Sequence, residues 1–402
     1  MKIYYVHQYY RTPSEGGAIR SFHLAQGLAK AGIAVEIITG HDQKNYSRRW
    51  DGQVKVHLVP VSYDNNLSTF KRILAFLKFV RMAKKLILRM EKPDLFYISS
   101  TPLTTGFIGL WAKKKWGIPY VFEVRDLWPD APIQIKGIKN SLIKKLLYRW
   151  EKNIYDGASK IVALSPGIKA AISEKCQGKD IALIPNFSDT EFFQPQNPGA
   201  LKEADQQNPL AIGYAGAIGE VNGLNQFLEL AGQAQASGKS WQFSLMGKGN
   251  RVDNLKKSKE IKGLKNLHFI PFGDKGMVRN FMGGMDLIYL SFIPLPVLET
   301  GSPNKFFDAL AMGKPVILNF KGWIWDIVRS HEIGLFHDVN CHEKVLMEIQ
   351  EWINQGDKLS LAGEKARTLA EEKFSKELAI EKLLEILKLS HDSKKVLSGF
   401  IS

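Results

Sequence analysis

Apolar residues in the first half of the chain form short runs that alternate with stretches of helical spacing. One helical stretch, AIRSFHLAQGLAKAG, is closed by Gly32. Alternation of this kind is typical of a parallel sheet that is covered by helices on both faces. The runs predict seven strands, at residues 2–9, 35–39, 54–61, 94–99, 120–124, 160–163 and 181–184.

A polar stretch with three prolines, at residues 194–209, interrupts this pattern and is typical of an interdomain linker. A second alternation follows it, and we therefore predict an α/β chain of two Rossmann-like domains with parallel sheets, at residues 1–193 and 210–385. We expect a tail at residues 386–402 to pack back on the first domain. Ligands of open α/β sheets bind at the carboxyl ends of the strands, which predicts a site in the cleft between the domains. The second set of strands is predicted at residues 211–215, 242–246, 267–270, 287–290 and 315–319.

The composition limits the cellular setting. The chain has 402 residues, of which 45% are hydrophobic, and this suits a globular protein of two domains. Its two cysteines, Cys176 and Cys341, are far apart, which favours a reducing compartment and excludes a disulfide framework. No secretory signal precedes the first strand, and no uncharged apolar run reaches about 18 residues. We therefore expect a cytoplasmic chain that does not span a bilayer.

The net charge of +15 belongs entirely to the first half of the sequence. Residues 1–190 contain 30 Lys and Arg against 15 Asp and Glu, so the remaining residues contain 25 of each sign. A bias that served solubility alone would not stop at mid-chain. We therefore expect the first domain to face an anionic partner.

Two segments of the first domain combine basic residues with helical apolar spacing. Residues 69–90 contain no acidic residue. Residues 135–155, IKGIKNSLIKKLLYRWEKNIY, also combine many basic residues with apolar ones. Such helices bind anionic membrane surfaces, but helices that cover a sheet are also amphipathic, so both interpretations stay open for each helix. The charge of the whole domain favours the membrane. The predicted apolar stripe of the first segment is Ile73, Phe76, Leu77, Val80, Ala83 and Ile87.

Glycines follow several predicted strands. SEGGAIR places Gly16 and Gly17 after the first strand, and YAGAIGEVNGL places Gly216 at the first turn of the second domain. MGKGNR then adds Lys248 and Arg251 at the start of a helix. A glycine-flanked basic loop before a helix suits a phosphate group, although ordinary turns share this composition and the G-x-G-x-x-G fingerprint is absent.

Four ionisable residues lie at the end of the fifth predicted strand in FEVRDLWPDAP: Glu123, Arg125, Asp126 and Asp130. Charges at the end of a buried parallel strand are costly unless they are paired or used. A structural pair with a helix N-cap is one explanation, and a functional role at this edge is the other. We favour the second explanation because this edge of the sheet faces the cleft. The spacing of the two aspartates is not that of a D-x-D metal site.

The stretch SPNKFFDALAMGKPVI begins with polar residues and continues as a helix of small residues. Lys305 stands at the helix N-terminus, where a cation costs on the order of 0.3–1 kcal/mol unless an anion is bound. The stretch therefore predicts a binding site for a diphosphate, with Asp308 accepting a hydrogen bond from a hydroxyl group. A capped core helix would not explain the lysine.

Taken together, EGG, FEVRDLWPD, VALSPGIK, IPNFSD, MGKGN and SPNKFFDALAMGKPVI resemble the retaining GT-B glycosyltransferases of family 4. The resemblance covers nearly the whole chain. Its nearest branch is that of bacterial transferases of surface polysaccharides, such as the L-N-acetylfucosaminyl transferases of O-antigen and capsule synthesis. The resemblance implies two domains that face a cleft, a UDP-sugar donor, a polyprenyl-diphosphate-linked saccharide acceptor at the inner face of the membrane, and no metal or other cofactor.

The resemblance also implies roles for individual residues. The E-x7-E pattern of the family places its second glutamate at Asp308 and its first at Thr300, next to Glu299, and the usual Arg and Lys fall at Ala217 and Asn222. The expected catalytic residues are Lys305, Arg251, Asp126 and Glu123, with Arg125 and Asp130 on the acceptor side. The expected donor-binding residues are Gly16, Gly17, Gly216, Lys248, Glu299, Thr300, Gly301, Ser302, Pro303, Asn304 and Asp308.

Two other functions stay open at this point. A UDP-N-acetylhexosamine 2-epimerase shares the two-domain architecture but releases UDP without an acceptor. A basic nucleic-acid-binding protein would also explain the charged first half. It requires aromatic residues along an exposed groove, whereas the aromatic residues here fall mostly within strands and amphipathic helices, so we do not expect nucleic acid as a partner.

Overall fold

A computed structural model describes residues 1–17, 19–63, 68–195 and 209–399. Residues 196–208 of the predicted linker and residues 400–402 of the predicted tail lie outside the described residues. Two α/β domains are present, as the sequence predicts.

The first domain contains an eight-stranded sheet in the order β3-β4-β2-β1-β5-β6-β7-β8, in which β3 alone is antiparallel to its neighbour. The strands are β1 (Lys2–Val6), β2 (Ala34–His41), β3 (Ser47–Asp51), β4 (Val54–Pro60), β5 (Leu95–Ser99), β6 (Tyr120–Val124), β7 (Lys160–Ala163) and β8 (Ile181–Leu183). The helices are α1 (Arg20–Lys30), α2 (Thr69–Ile87), α3 (Gly106–Trp116), α4 (Asp130–Lys136), α5 (Ser141–Gly157) and α6 (Pro166–Lys175).

The second domain contains a parallel sheet of six strands in the order β11-β10-β9-β12-β13-β14. The strands are β9 (Ala211–Ala217), β10 (Gln242–Lys248), β11 (Leu267–Ile270), β12 (Leu287–Leu290), β13 (Val316–Leu318) and β14 (Gly334–Phe336). The helices are α7 (Asn225–Ala236), α8 (Val252–Ile261), α9 (Lys275–Gly283), α10 (Pro296–Glu299), α11 (Asn304–Ala311), α12 (Trp323–His331), α13 (His342–Asn354), α14 (Lys358–Lys373) and α15 (Lys376–Gly399).

Apart from β14, the apolar strands lie where the sequence predicts them. The bounds of β6, β7, β11 and β12 are those predicted, whereas β3 and β14 were not predicted. β3 has the sequence SRRWD, and an edge strand with this many polar residues carries no apolar run. β14 has three residues, which is too short for a period to be recognised.

Alternate residues of the first sheet serve two different cores. Tyr4 and Val6 of β1 pack with α2, α3 and α5 on one face, while Ile3 and Tyr5 pack with α1 on the other. This follows from the period of two in a strand, and it explains why the central strands are apolar at most positions on both faces.

The last helix, α15, returns to the first domain. It packs against α1, where Gly27 leaves the space that the side chain of Ile380 fills. Leu383, Ile386 and Leu387 are buried in the core of the first domain. The chain crosses between the domains near the bridge from Ser188 to Ser375. The segment that packs back therefore begins about ten residues before the predicted tail.

Candidate active site

The carboxyl ends of β9 and β10 carry the glycines and basic residues that the sequence indicated. Gly216 and Ala217 pair in register with Gly247 and Lys248. The backbone of Arg251, at the start of α8, donates to the carbonyl of Ile218 at 3.2 Å. The loops that follow the two strands therefore meet at one point on the edge of the second sheet.

Lys305 of α11 lies at the same point. A Cβ atom on Gly216 would lie 3.1 Å from the side-chain nitrogen of Lys305, and the φ of 152° at Gly216 is one that residues with side chains rarely adopt. Three basic residues, Lys305, Lys248 and Arg251, are thus grouped around residues 216–218. The N–H groups of Ile218 and Gly219 in this turn donate to the carbonyl of Lys248 and to the side chain of Asn222, so a ligand here would meet the basic side chains instead of these amides.

The ammonium of Lys305 has few partners. It donates to the hydroxyl of Tyr214 at 2.6 Å and lies 4.0 Å from the centre of the same ring. In the described part of the chain, no carboxylate forms an ion pair with it. Burial therefore lowers the pKa of Lys305 to about 7. An anionic ligand at this point would supply the missing counter-charge.

The start of α11 is fixed by the first domain. The backbone N–H of Asn186 donates to the hydroxyl of Ser302 at 3.0 Å, and the Asn186 amide donates to the carbonyl of Ser302. Pro303 stands at the N-cap without a side-chain hydrogen bond to the helix. The first N–H groups of α11, at Asn304 and Lys305, are therefore not capped by a neighbouring side chain.

The segment before α11 lies between the two domains. Ser165 donates to the carbonyl of Thr300 at 2.5 Å, and Trp323 donates to the carbonyl of Gly301 at 2.7 Å. Val297 is buried in the core of the first domain. Glu299 ends α10 and is partly exposed. These contacts hold the expected donor-binding residues 299–304 in one conformation.

The glycine loop of the first domain faces this region from across the cleft. A Cβ atom on Gly16 would lie 3.7 Å from the ring of Phe272, a residue that follows β11. The ammonium of Lys248 lies 4.2 Å from the centre of the same ring. Gly17 is exposed beside Gly16. Phe272, which the sequence analysis did not single out, therefore lies between Gly16 and Lys248.

Glu123 is inaccessible to a substrate. It is fully buried, and its carboxylate accepts hydrogen bonds from Arg20 at 2.8 Å, Tyr97 at 2.9 Å and Ser99 at 2.6 Å. Burial disfavours its ionisation, but the charges of Arg20 and Arg125 outweigh that effect and hold the pKa of Glu123 at about 2. We therefore replace the expected catalytic role with a structural ion pair.

Arg125 and Asp126 stay at the edge of the cleft. Arg125 donates to Nε2 of His7 at 3.1 Å, and burial together with the charge of Arg125 lowers the pKa of His7 to about 3. The neutral imidazole of His7 therefore accepts from Arg125 and donates from Nδ1 to Ser21. Asp126 is exposed and accepts from Thr101 at 3.0 Å, so its second oxygen is available to a ligand.

Asp130 turns away from this group. One carboxylate oxygen accepts from Tyr148 at 2.7 Å, and the other pairs with Lys175 at 2.7 Å. Lys175 also pairs with Glu151. These partners belong to α5 and α6, so Asp130 joins helices of the first domain in place of the acceptor contact that the sequence suggested.

Asp308 is also engaged by protein groups. Its two oxygens accept from Ser188 at 3.1 Å and from Lys275 at 3.0 Å. Asn222, at the position of the usual lysine of the family, is buried and caps the turn at Gly219. A ribose hydroxyl at Asp308 would have to share the carboxylate with these donors.

Several residues of the site carried no recognisable signal in the sequence. His7 and Tyr214 lie within apolar strands, where aromatic residues are common. Asn186 and Lys275 contact the site from loops or helices more than 30 positions away in the chain. Arg20 is the exception, because it ends the SEGGAIR motif, and a buried Glu123 requires a cation.

Among the residues that the structure describes, no group of three His, Cys, Asp or Glu side chains is arranged to hold a metal ion. No helix in the described ranges has the length and apolar character to cross a bilayer.

Two family models match the chain. One, described as a glycosyl transferase 4-like domain, covers residues 15–186, and the other, glycosyl transferases group 1, covers residues 201–369. The chain is 23% identical over 367 residues to a capsular polysaccharide biosynthesis glycosyltransferase, CapM, of Staphylococcus aureus, covering 89% of this chain and 90% of that protein. It is 23% identical over 329 residues to the putative colanic acid biosynthesis glycosyl transferase WcaI of Escherichia coli, covering 75% and 78%.

Solved structures share the fold. Sucrose-phosphate synthase from Thermosynechococcus elongatus superposes with a TM-score of 0.79 at 16% identity, covering 98% of this chain and 99% of that chain. HepE of Anabaena, in complex with UDP, superposes with a TM-score of 0.68 at 17% identity, covering 96% and 100%. The two matched family models show that this chain is a glycosyltransferase of family 4, and its two Rossmann-like domains have the GT-B fold.

Proposed function

We propose that this glycosyltransferase moves a sugar from a UDP-sugar to a lipid-linked saccharide during the synthesis of a bacterial surface polysaccharide. The sugar is an N-acetylated hexosamine or deoxyhexosamine in this proposal. Relatives whose names refer to capsule and colanic acid synthesis support the polysaccharide, and the UDP complex of HepE supports the nucleotide. The finer assignment to L-N-acetylfucosaminyl transfer is part of the same proposal.

The part of the proposal that concerns the UDP-sugar donor rests on the position of Lys305. Its ammonium stands at the uncapped start of α11, beside the turn after β9, with Tyr214 as its hydrogen-bond acceptor. A diphosphate there would meet the lysine and the helix N–H groups together, and Lys248 and Arg251 border the same turn. In our proposal Lys305 and Arg251 stabilise the charge that develops on the leaving diphosphate.

The reaction proceeds with retention at the anomeric carbon and without a metal ion in this proposal. The bond from the anomeric carbon to the diphosphate oxygen breaks, and the acceptor hydroxyl bonds to the same face of the sugar. The leaving diphosphate oxygen takes the proton of that hydroxyl, so no protein base is needed. Asp126 orients the acceptor hydroxyl or the transferred sugar, and Arg125 borders it on the acceptor side.

The acceptor in this proposal is a saccharide linked to polyprenyl diphosphate at the inner face of the cytoplasmic membrane. An anionic acceptor and an anionic membrane both suit the charge of residues 1–190, where Lys and Arg number 30 and Asp and Glu number 15. The enzyme therefore works as a peripheral protein at that surface.

Calorimetric titration of UDP into the wild type, Lys305→Ala and Lys257→Ala tests the donor site. Lys257 is an exposed lysine of α8 and serves as the matched control. We expect Lys305→Ala to weaken UDP binding about tenfold or more, as for a hydrogen bond to a charged group, and Lys257→Ala to leave it unchanged. Equal affinities in all three proteins would remove Lys305 from the diphosphate site.

The reaction itself is followed by NMR with a UDP-N-acetylhexosamine and a lipid-linked saccharide. Transfer with an unchanged anomeric configuration is expected, and it should survive a chelator. Free epimerised sugar formed without any acceptor would identify a 2-epimerase instead.

A further inference from the structure

Helix α2 has two apolar faces instead of the single predicted stripe. Phe79, Val80, Ala83 and Ile87 are buried in the core beneath the helix, and Phe76 is buried against Tyr63 and Trp128. A second set at i, i+3, i+4 and i+7 points outwards, and two of the residues predicted for the inner stripe belong to it. The outward residues and their exposed fractions are Phe70 at 70%, Ile73 at 48%, Leu74 at 49% and Leu77 at 44%. Covering a sheet accounts for the first face and leaves the second without a role.

Helix α5 shows the same feature. Ile154 and Tyr155, near its C-terminus, are buried in the core. Leu142, Ile143 and Leu146, near its N-terminus, are exposed. The two helices thus supply seven exposed large apolar side chains, all within their N-terminal halves.

These N-terminal halves lie at the same edge of the domain. α2, α3 and α5 cover one face of the first sheet, and α3 contacts both of the other helices. α2 and α3 follow the parallel strands β4 and β5, and α5 ends just before β7, so the N-terminal ends of all three helices lie towards the carboxyl edge of the sheet. The exposed side chains of α2 and α5 therefore flank the opening of the cleft that holds Asp126.

The charges around these side chains have one sign. Neither α2 nor residues 141–150 contain an acidic residue. Exposed basic residues lie among the apolar ones on both helices and on the turn before α5: Lys71, Lys78, Arg81, Lys85, Lys136, Lys139, Lys145 and Arg149. Apolar side chains among cations match the boundary between acyl chains and anionic headgroups.

A row of aromatic rings connects this surface with the cleft. Tyr9 after β1 lies 4.7 Å from Tyr63 after β4, Tyr63 lies 5.6 Å from Phe76 of α2, and Phe76 lies 6.1 Å from Trp128. Trp128 follows Asp126 by two positions. Helix α2, which carries the outward apolar residues, therefore packs through Phe76 against the loop that bears Asp126.

We propose that the N-terminal halves of α2 and α5 form a docking surface for an anionic phospholipid bilayer, with the outward apolar side chains entering the headgroup layer and the opening of the cleft held at the bilayer surface. The proposal deepens the proposed function, on which it rests, by naming the surface that meets the lipid-linked acceptor.

Flotation of the full chain with vesicles tests the surface. Phe70→Ser with Leu74→Ser, and Leu142→Ser with Leu146→Ser, remove apolar side chains from α2 and α5. Ile261→Ser with Met347→Ser removes two equally exposed apolar side chains from the second domain and is the matched control. We expect the wild type and the control to float with phosphatidylglycerol vesicles, and both surface variants to bind about tenfold less. Phosphatidylcholine vesicles should bind the wild type far more weakly.

Other results would overturn the proposal. Surface variants that float like the wild type would do so, and so would equal binding to anionic and neutral vesicles. A wild type that elutes as a dimer, with monomeric surface variants, would assign the face to a second copy of the chain. The double variant Lys71→Gln with Lys78→Gln removes two positive charges from the surface and leaves every apolar contact in place.

Calorimetry with UDP in the absence of vesicles separates the two proposals. Surface variants that bind UDP like the wild type are folded, so their loss of flotation concerns the membrane alone. If Lys305→Ala bound UDP as tightly as the wild type while flotation stayed intact, that result would instead contradict the proposed function.

Discussion

The side-chain nitrogen of Lys305 lies 2.6 Å from the hydroxyl oxygen of Tyr214, and that hydroxyl donates in turn to the carbonyl of Ala217. The lysine is therefore held in place by a neutral group and keeps its charge uncompensated. A lysine that is held in position but has no counter-charge is suited to binding an anion, because the ligand need not replace an existing ion pair.

Binding of UDP should take up a proton at Lys305. Its pKa of about 7 in the free protein means that the lysine is mostly neutral at pH 8, whereas a bound diphosphate favours the charged form. We expect uptake of about one proton per UDP at pH 8 and weaker binding as the pH rises above 7. Calorimetry in buffers of different ionisation enthalpy measures the uptake.

Lys305→Arg is the control for this pH dependence. Arginine stays charged throughout this range, so the variant should bind UDP with little change between pH 7 and 9. Undiminished proton uptake in the variant would place the titrating group elsewhere.

Lys305→Met should stabilise the protein without ligand. The pKa of the lysine falls from 10.5 to about 7 on folding, so the unfolded chain binds more protons between these values and stability rises with pH there. Removing the amine removes this cost, which a fall from 10.5 to about 7 puts at about 4 kcal/mol at pH 7, or roughly 8–16 °C in Tm. Thermal unfolding measures the gain, and Lys257→Met should show none.

Glu123→Gln should destabilise the first domain. The substitution leaves the buried guanidinium of Arg20 without its counter-charge, which costs about 3–5 kcal/mol in comparable buried pairs. The wild type should lose the same contribution as the pH falls from 4.5 towards 2, because the pKa of the carboxyl is lowered on folding. Chemical denaturation measures both effects. A variant of normal stability that lacked activity would restore the catalytic role.

Asp126→Asn should lower kcat about 100-fold and leave the Kd of UDP within a factor of two. The carboxylate is exposed at the cleft, and Thr101 is its hydrogen-bond partner, so the change removes a charge without creating a cavity. Steady-state kinetics and calorimetry separate the two quantities. Asp253→Asn, at an exposed position of α8, should leave both unchanged.

Asp308→Asn tests the ribose contact. If the carboxylate binds a ribose hydroxyl beside Ser188 and Lys275, the wild type should prefer UDP to its 2′-deoxy analogue and the variant should not. Calorimetry with both nucleotides compares the preferences. A preference that persists in the variant would assign Asp308 to the domain contact alone.

The sequence by itself determined the fold class and most strands, because a buried parallel strand must be apolar on both faces and therefore shows as a run. It also indicated Lys305, Lys248 and Arg251, since a cation at the start of a helix is unfavourable without an anion, and Gly216, since a glycine lets a ligand approach the backbone.

Only the tertiary structure decided what the carboxylates do. Glu123, Asp130 and Asp308 look alike in the sequence as polar residues near a strand or helix end, yet each is engaged by cations from other elements, whereas Asp126 stays exposed. It likewise divided the apolar residues of α2 between the core and the surface. Both outcomes depend on which distant elements pack nearby, and local spacing carries no information about such contacts.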